Sequence, residues 1–177
     1  MRRNQSRLLS LTLLTTIVLT ILVLAGCQQL ESSHSSSTPA GTSSGNTGKI
    51  AITTSSEEAR KEYLSGRDLQ EKLRITDSIQ HFDKAISLDP NFALAELNRA
   101  NVSPTGKEFF EHLNKAVSLA GKASDGERML IQATEAGANA NPTKQKELLE
   151  KLVAAYPNDE RAHFNLGGFY FGQQDFK

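Results

Sequence analysis

The chain has 177 residues, enough for one ordinary domain with appendages, and 38% of them are hydrophobic, with few aromatics and no tryptophan. Lys plus Arg and Asp plus Glu stand at 20 each, but Arg2, Arg3 and Arg7 are the only charged side chains before Cys27, so the remainder carries 17 basic against 20 acidic groups, about −3. That balance argues against the clustered basic face a nucleic-acid partner requires, and a single cysteine excludes an internal disulfide.

At the N-terminus, Arg2, Arg3 and Arg7 precede an uncharged apolar run from Leu8 to Ala25. This is the layout of a secretory signal segment. The Arg2-Arg3 pair lacks the surroundings of a twin-arginine signal. The run closes on Leu24-Ala25-Gly26-Cys27. That tetrapeptide resembles the lipobox of bacterial lipoprotein signal peptides. The resemblance implies that residues 1–26 are removed, and that Cys27 is acylated on sulfur and again on its new amino group. Several acyl chains, at about 0.8 kcal/mol per buried methylene, hold a protein stably where one does so only marginally. The covalent lipid is the only added group expected, and no cofactor is. By analogy with Gram-negative lipoproteins, Gln28 in place of Asp after the cysteine points to the outer membrane, facing the periplasm. A plain transmembrane anchor remains an alternative, because eighteen apolar residues sit at the short end of the spanning range. Cleavage without lipid is another.

Residues 27–49 read as the lipidated cysteine and a tether. Of the 22 residues from Gln28 to Lys49, 13 are Ser, Thr or Gly. Such a stretch cannot bury a core and is expected to be disordered. A flexible chain of that length spans roughly 25 Å. His34 lies within it as a solvated residue.

Residues 50–177 read as helices. Ser55, with Glu58 three residues on, predicts a capping box, followed by Ala59, Tyr63, Gly66, Leu69 and Leu73 at helical spacing. Ile75, Ile79, Phe82, Ala85 and Ile86 give the next helix one apolar face, and Asp89-Pro90 stops it. Asn91 opens a helix through Ala100, and Ser103-Pro104 turns the chain. Thr105 and Glu108 cap a helix carrying Phe109, Leu113, Ala116 and Val117, and Ser124 and Glu127 cap another that ends at Gly137. Asn141-Pro142 starts the helix of Leu148, Leu149, Leu152 and Val153, and Pro157-Asn158 leads into the last. Seven helices and the beginning of an eighth are predicted.

The small residues Gly66, Ala100, Ala133 and Gly167 are separated by 34, 33 and 34 positions. A fixed period of this length signals stacked supersecondary units, and the small residue lets each first helix approach its hairpin partner. His163-x2-Leu166-Gly167-x2-Tyr170 and Ser78-x3-Phe82 followed by Pro90 resemble the tetratricopeptide repeat, with His for Trp and Ser for Ala. The likeness covers about residues 56–177, with the second unit some three residues short near Gly121. It implies an all-α solenoid of antiparallel hairpins, about 3.5 repeats, and a protein-binding scaffold in the bacterial cell envelope. By the family's register the concave groove includes Arg60, Tyr63 and Arg67, then Asn98 and Asn101, then Arg161, Phe164 and Asn165. Arg and Asn there suit the backbone or carboxylate of an extended peptide, while Tyr63 and Phe164 suit stacking. Each residue taken singly reads first as an ordinary solvated or core position, and it is the groove as a whole that is predicted.

Nothing in the sequence carries catalysis. No phosphate-cradling loop, His-Glu-x-x-His or nucleophile elbow occurs. His81, His112 and His163 lack metal-ligand spacing; His81 reads as half-exposed and His163 as packed. Phe164, Leu166, Phe169, Tyr170, Phe171 and Phe176 crowd a terminus where a repeat array usually carries a polar cap. Further repeats or a partner are therefore expected to cover it. Two functions stay open: an envelope scaffold for a protein or peptide, or the interaction arm of a longer protein with an enzymatic or sensory part.

Overall fold

The computed structural model describes residues 48–174, and every regular element among them is helical. The order is α1 (Glu57–Glu71), α2 (Ile75–Leu88), α3 (Ala93–Asn101), α4 (Gly106–Leu119), a 3-10 turn (Ala120–Lys122), α5 (Asp125–Ala138), α6 (Pro142–Ala155) and α7 (Glu160–Gly172). Helix α1 packs on α2, α3 on α4 and α5 on α6 as hairpins, and the hairpins stack in sequence with α7 against α6. This is the all-α hairpin solenoid that the periodicity predicts. The signal segment, the lipobox with Cys27, His34 and the start of an eighth helix at Asp175 lie outside the described residues.

Local chemistry explains most boundaries. Ser124 and Glu127 form the reciprocal box that the sequence predicts, each accepting the other's backbone N–H. Thr105, Asn141 and Asp159 cap α4, α6 and α7 through side-chain oxygens. The first cap differs from expectation: Ser56, not Ser55, accepts the Ala59 N–H at 3.1 Å. Ser55 is taken by the Asp89 carboxylate, to which it donates both its N–H and its hydroxyl. Likewise α3 begins at Ala93 rather than Asn91, because the Asn91 N–H turns back to Asp89 Oδ1. The shortened unit is located in α3, only 9 residues long, rather than at Gly121.

Leu73 does not continue the apolar face of α1. It lies past the helix end at φ 59°, 83% exposed. Its N–H bonds to Gln70 O and that of Arg74 to Leu69 O, the paired pattern that closes a helix on a left-handed residue. Ala140 at φ 54° and Gln174 at φ 56° repeat the conformation after α5 and α7. The repeat therefore shows in the backbone as well as in the side chains. The Ser103-Pro104 turn of the second unit departs from it, since Ser103, one residue past the C-cap Val102, does not take the left-handed conformation.

The core runs through all the hairpins. In the first unit the buried rings of Tyr63, Phe82 and Phe92 pack together, with centroids 6.0 Å apart for Tyr63–Phe82 and 5.1 Å for Tyr63–Phe92. Gly66 sits against Phe82, where an added Cβ would come within 2.8 Å of the ring. That is the close approach the small residue was expected to serve.

Candidate binding groove

Three first helices converge on an open cavity of about 430 Å³. Asn101 comes from α3, Thr134 and Gly137 from α5, and Phe164, Asn165 and Gly168 from α7, with Phe109 and Gln145 entering from second helices. Phe164 is 80% exposed, so its ring is presented to solvent rather than to the core. Among the described residues, no charged side chain lines the cavity; its polar side chains there are amides and a hydroxyl. Side-chain amides both donate and accept, so they match a peptide main chain without demanding a charge.

Of the eight groove residues taken from the repeat register, Asn101, Phe164 and Asn165 are thus brought together. Asn98 lies half-buried on the same helix as Asn101, 3.5 Å from Gln70. Arg60 is half-buried and pairs with Glu57 on its own helix. Tyr63 is not a stacking surface: it is fully buried, because Phe82, Phe92 and the start of α7 cover it. Burial pushes its phenol up to about 12, against the lowering pull of Arg67 and Arg161.

Arg67 and Arg161 do not face an open groove. They are held in ion pairs where α1 meets the start of α7. Arg67 Nη2 spans from Glu71 (2.9 Å) to Glu160 on α7 (3.2 Å). Arg161 binds the Asp159 carboxylate at 2.7 Å and donates to the Ile50 carbonyl. Burial opposes charge on both guanidiniums, yet the neighbouring anions and the Tyr63 phenol raise their pKa values overall. The Tyr63 hydroxyl and Arg161 Nη1 are both buried without a hydrogen-bond partner of good geometry.

The neighbouring edge is occupied by the chain itself. Residues 48–55 run extended across the starts of the first helices before entering α1. Three buried carboxylates receive this strap. Asp159 accepts the Ile50 N–H at 2.7 Å, Glu127 the Thr53 N–H at 2.8 Å, and Asp89 the Ser55 N–H at 2.9 Å. Asp89 also accepts the Thr54 hydroxyl at 2.6 Å. Burial alone would raise the pKa of Asp89, but the bonds from Thr54, Ser55 and Asn91 outweigh it and hold the carboxyl below its ordinary value. Asp159 is held low in the same way, burial being overcome by Arg161 and the Ile50 N–H. Sequence reasoning places Asp89 at a helix end and Glu127 in a capping box, and misses the strap. The signal was there as an acid at each boundary, one more than helix capping requires at Glu127, which serves both Ser124 and Thr53.

The histidines are held locally. His81 pairs with Glu62 at 2.7 Å and His112 with Glu96 at 2.6 Å, each across one hairpin. His163, expected to pack, is exposed and contacts the Pro157 carbonyl at 2.9 Å. Among the described residues, no group of three or more His, Cys, Asp or Glu is placed to hold a metal ion. No helix among them is long and apolar enough to cross a membrane.

No protein-family model and no curated protein matches the sequence. Among solved structures, the chain is similar to the first TPR of Spaghetti (RPAP3) bound to HSP90 peptide SRMEEVD. The identity is 19% and the TM-score 0.43, over 70% of this chain and 99% of that one.

Proposed function

We propose that the chain is a lipid-anchored binding scaffold of the bacterial cell envelope, whose cavity between α3, α5 and α7 holds an extended, uncharged stretch of a partner protein. The observation that carries the reading is the solvent-exposed Phe164 ring set among the amides of Asn101, Asn165 and Gln145. An apolar partner side chain would lie on the ring, and the amides would bond the partner's main chain on either side. Among the described residues the lining offers amides rather than cations, which suits a main chain better than an acidic tail. The anchor reading rests on Leu24-Ala25-Gly26-Cys27 and the Ser/Thr/Gly-rich stretch that follows, and the outer-membrane, periplasm-facing location on Gln28 in place of Asp after the cysteine.

The test is site-specific photocrosslinking in the lipidated full chain. A benzophenone amino acid at position 164 should give a discrete adduct, and one at exposed Lys115 on the outer face should not. Equal labelling at both sites, or none at 164, would refute the groove as the binding surface.

A further inference from the structure

The strap does more than cover an edge. It meets α7 first, then the start of α5, then the turn before α3, and only then enters α1. Along it Ile50 is buried, Ile52 and Thr54 are half-buried, and Ala51, Thr53 and Ser55 are exposed, the alternation of an extended chain with one face inward. Ile50 is its wedge. An added Cβ on Gly126 would come within 2.8 Å of the Ile50 side chain and 3.0 Å of Tyr156, so glycine is required for Ile50 to seat.

Four contacts join the strap to the start of α7. Asn158 donates its N–H to the Gly48 carbonyl at 3.1 Å, Lys49 pairs with Glu160 at 3.3 Å, Asp159 accepts the Ile50 N–H, and Arg161 donates to the Ile50 carbonyl. One turn further on, Asn165 donates to the Arg161 carbonyl at 2.8 Å, and Asn165 and Phe164 are groove residues. Elsewhere α7 is held by α6, by the Arg67–Glu160 pair and by Arg161 over Tyr63 of α1.

We infer that residues 49–55 form a latch that positions α7 and thereby sets the width of the groove. Docked, it ties the fourth unit to the second and third; released, it frees the start of α7 while the hairpins stay formed. Chain N-terminal to Gly48 leads directly into the α7 contacts, so a pull from that side loads them before any others. The inference stands on the strap's contacts and does not require the groove to bind a peptide.

Hydrogen exchange with mass spectrometry on the full chain tests it. Ile50→Asp removes the wedge. Asp159→Asn is the milder variant, because asparagine keeps one oxygen to cap α7 and replaces the oxygen that accepts the Ile50 N–H with an amide group that cannot accept it. Both should speed exchange in the strap and across Glu160–Gly172 by roughly tenfold or more, with α2 and α4 keeping their protection and circular dichroism its helical signal. If the strap exchanges faster while α7 does not, the strap is only cover. If every helix loses protection together, the strap belongs to a single cooperative core. Either result overturns the latch.

Discussion

A methyl group placed on Gly66 sets two effects of opposite sign against each other. Alanine in a helix interior is worth about 1 kcal/mol more than glycine, from backbone entropy alone. Against this, the new Cβ would stand 2.8 Å from Phe82 Cε1 and 2.9 Å from Cδ1, closer than carbon atoms approach. The ring has nowhere to go: Phe82 has no exposed surface and is backed by Tyr63, which is backed in turn by Phe92. Overpacking of this kind costs about 1–3 kcal/mol. The net change for Gly66→Ala is therefore a loss of up to about 2 kcal/mol, a fall in Tm of several degrees for a domain of this size. Gly168→Ala is the control, since a Cβ there meets nothing within 4 Å and the propensity gain stands alone. Urea titration followed by circular dichroism measures both. If Gly66→Ala stabilises the fold as much as Gly168→Ala does, the close approach of α1 and α2 at this residue is wrong.

Glu127→Ala removes a fully buried carboxylate that accepts from Thr53 and Ser124, and should cost about 1–3 kcal/mol in the same titration; a loss below a few tenths would remove the strap from its place. Asp89 and Asp159 have lowered pKa values in the fold. Their stabilisation is full above the unfolded-state value of about 3.9 and declines as pH falls through the lower folded values. Stability plotted against pH should therefore drop below about pH 4, and the Asp89→Asn, Asp159→Asn double variant should show a shallower drop. Phe164→Ala should leave Tm within about a degree, because the ring is solvent-exposed, yet abolish the adduct formed from a crosslinker placed at Asn101. Cys27→Ala should end incorporation of labelled palmitate and release the chain to the soluble fraction; retention in the membrane would support a spanning anchor instead.

The architecture was legible because it rests on spacing. Apolar and small residues returning in fixed register at Gly66, Ala100, Ala133 and Gly167 specify helices of given length that must pair, and local caps at Thr105, Ser124 and Asn141 mark where they start. The cap at Ser55 was misplaced by one residue because its competitor, Asp89, lies more than thirty positions away. The same holds for the groove. Register puts Asn101, Phe164 and Asn165 on the inner wall, but it treats each repeat alike and cannot foresee that curvature brings Glu160 against Arg67 and Arg161 over Tyr63.

The strap was the least legible element, for a physical reason. A strand in a sheet announces itself by alternation over a long run, whereas residues 50–55, Ile-Ala-Ile-Thr-Thr-Ser, alternate over too few positions to stand out beside a Ser/Thr/Gly-rich stretch. Apart from the Asn158 N–H on the Gly48 carbonyl, its partners are side chains rather than another backbone, so among the described residues no second strand is paired with it. Those carboxylates are read first as helix caps and dipole partners, which Asp159 and Glu127 also are. One acid serving a helix start and an incoming extended chain at once is economical, since the helix N-terminus stabilises the charge that the strap's N–H groups need. It also means that the ends of α5 and α7 and the docking of the strap rise and fall together, and this shared dependence is what makes the segment able to act on the groove at all.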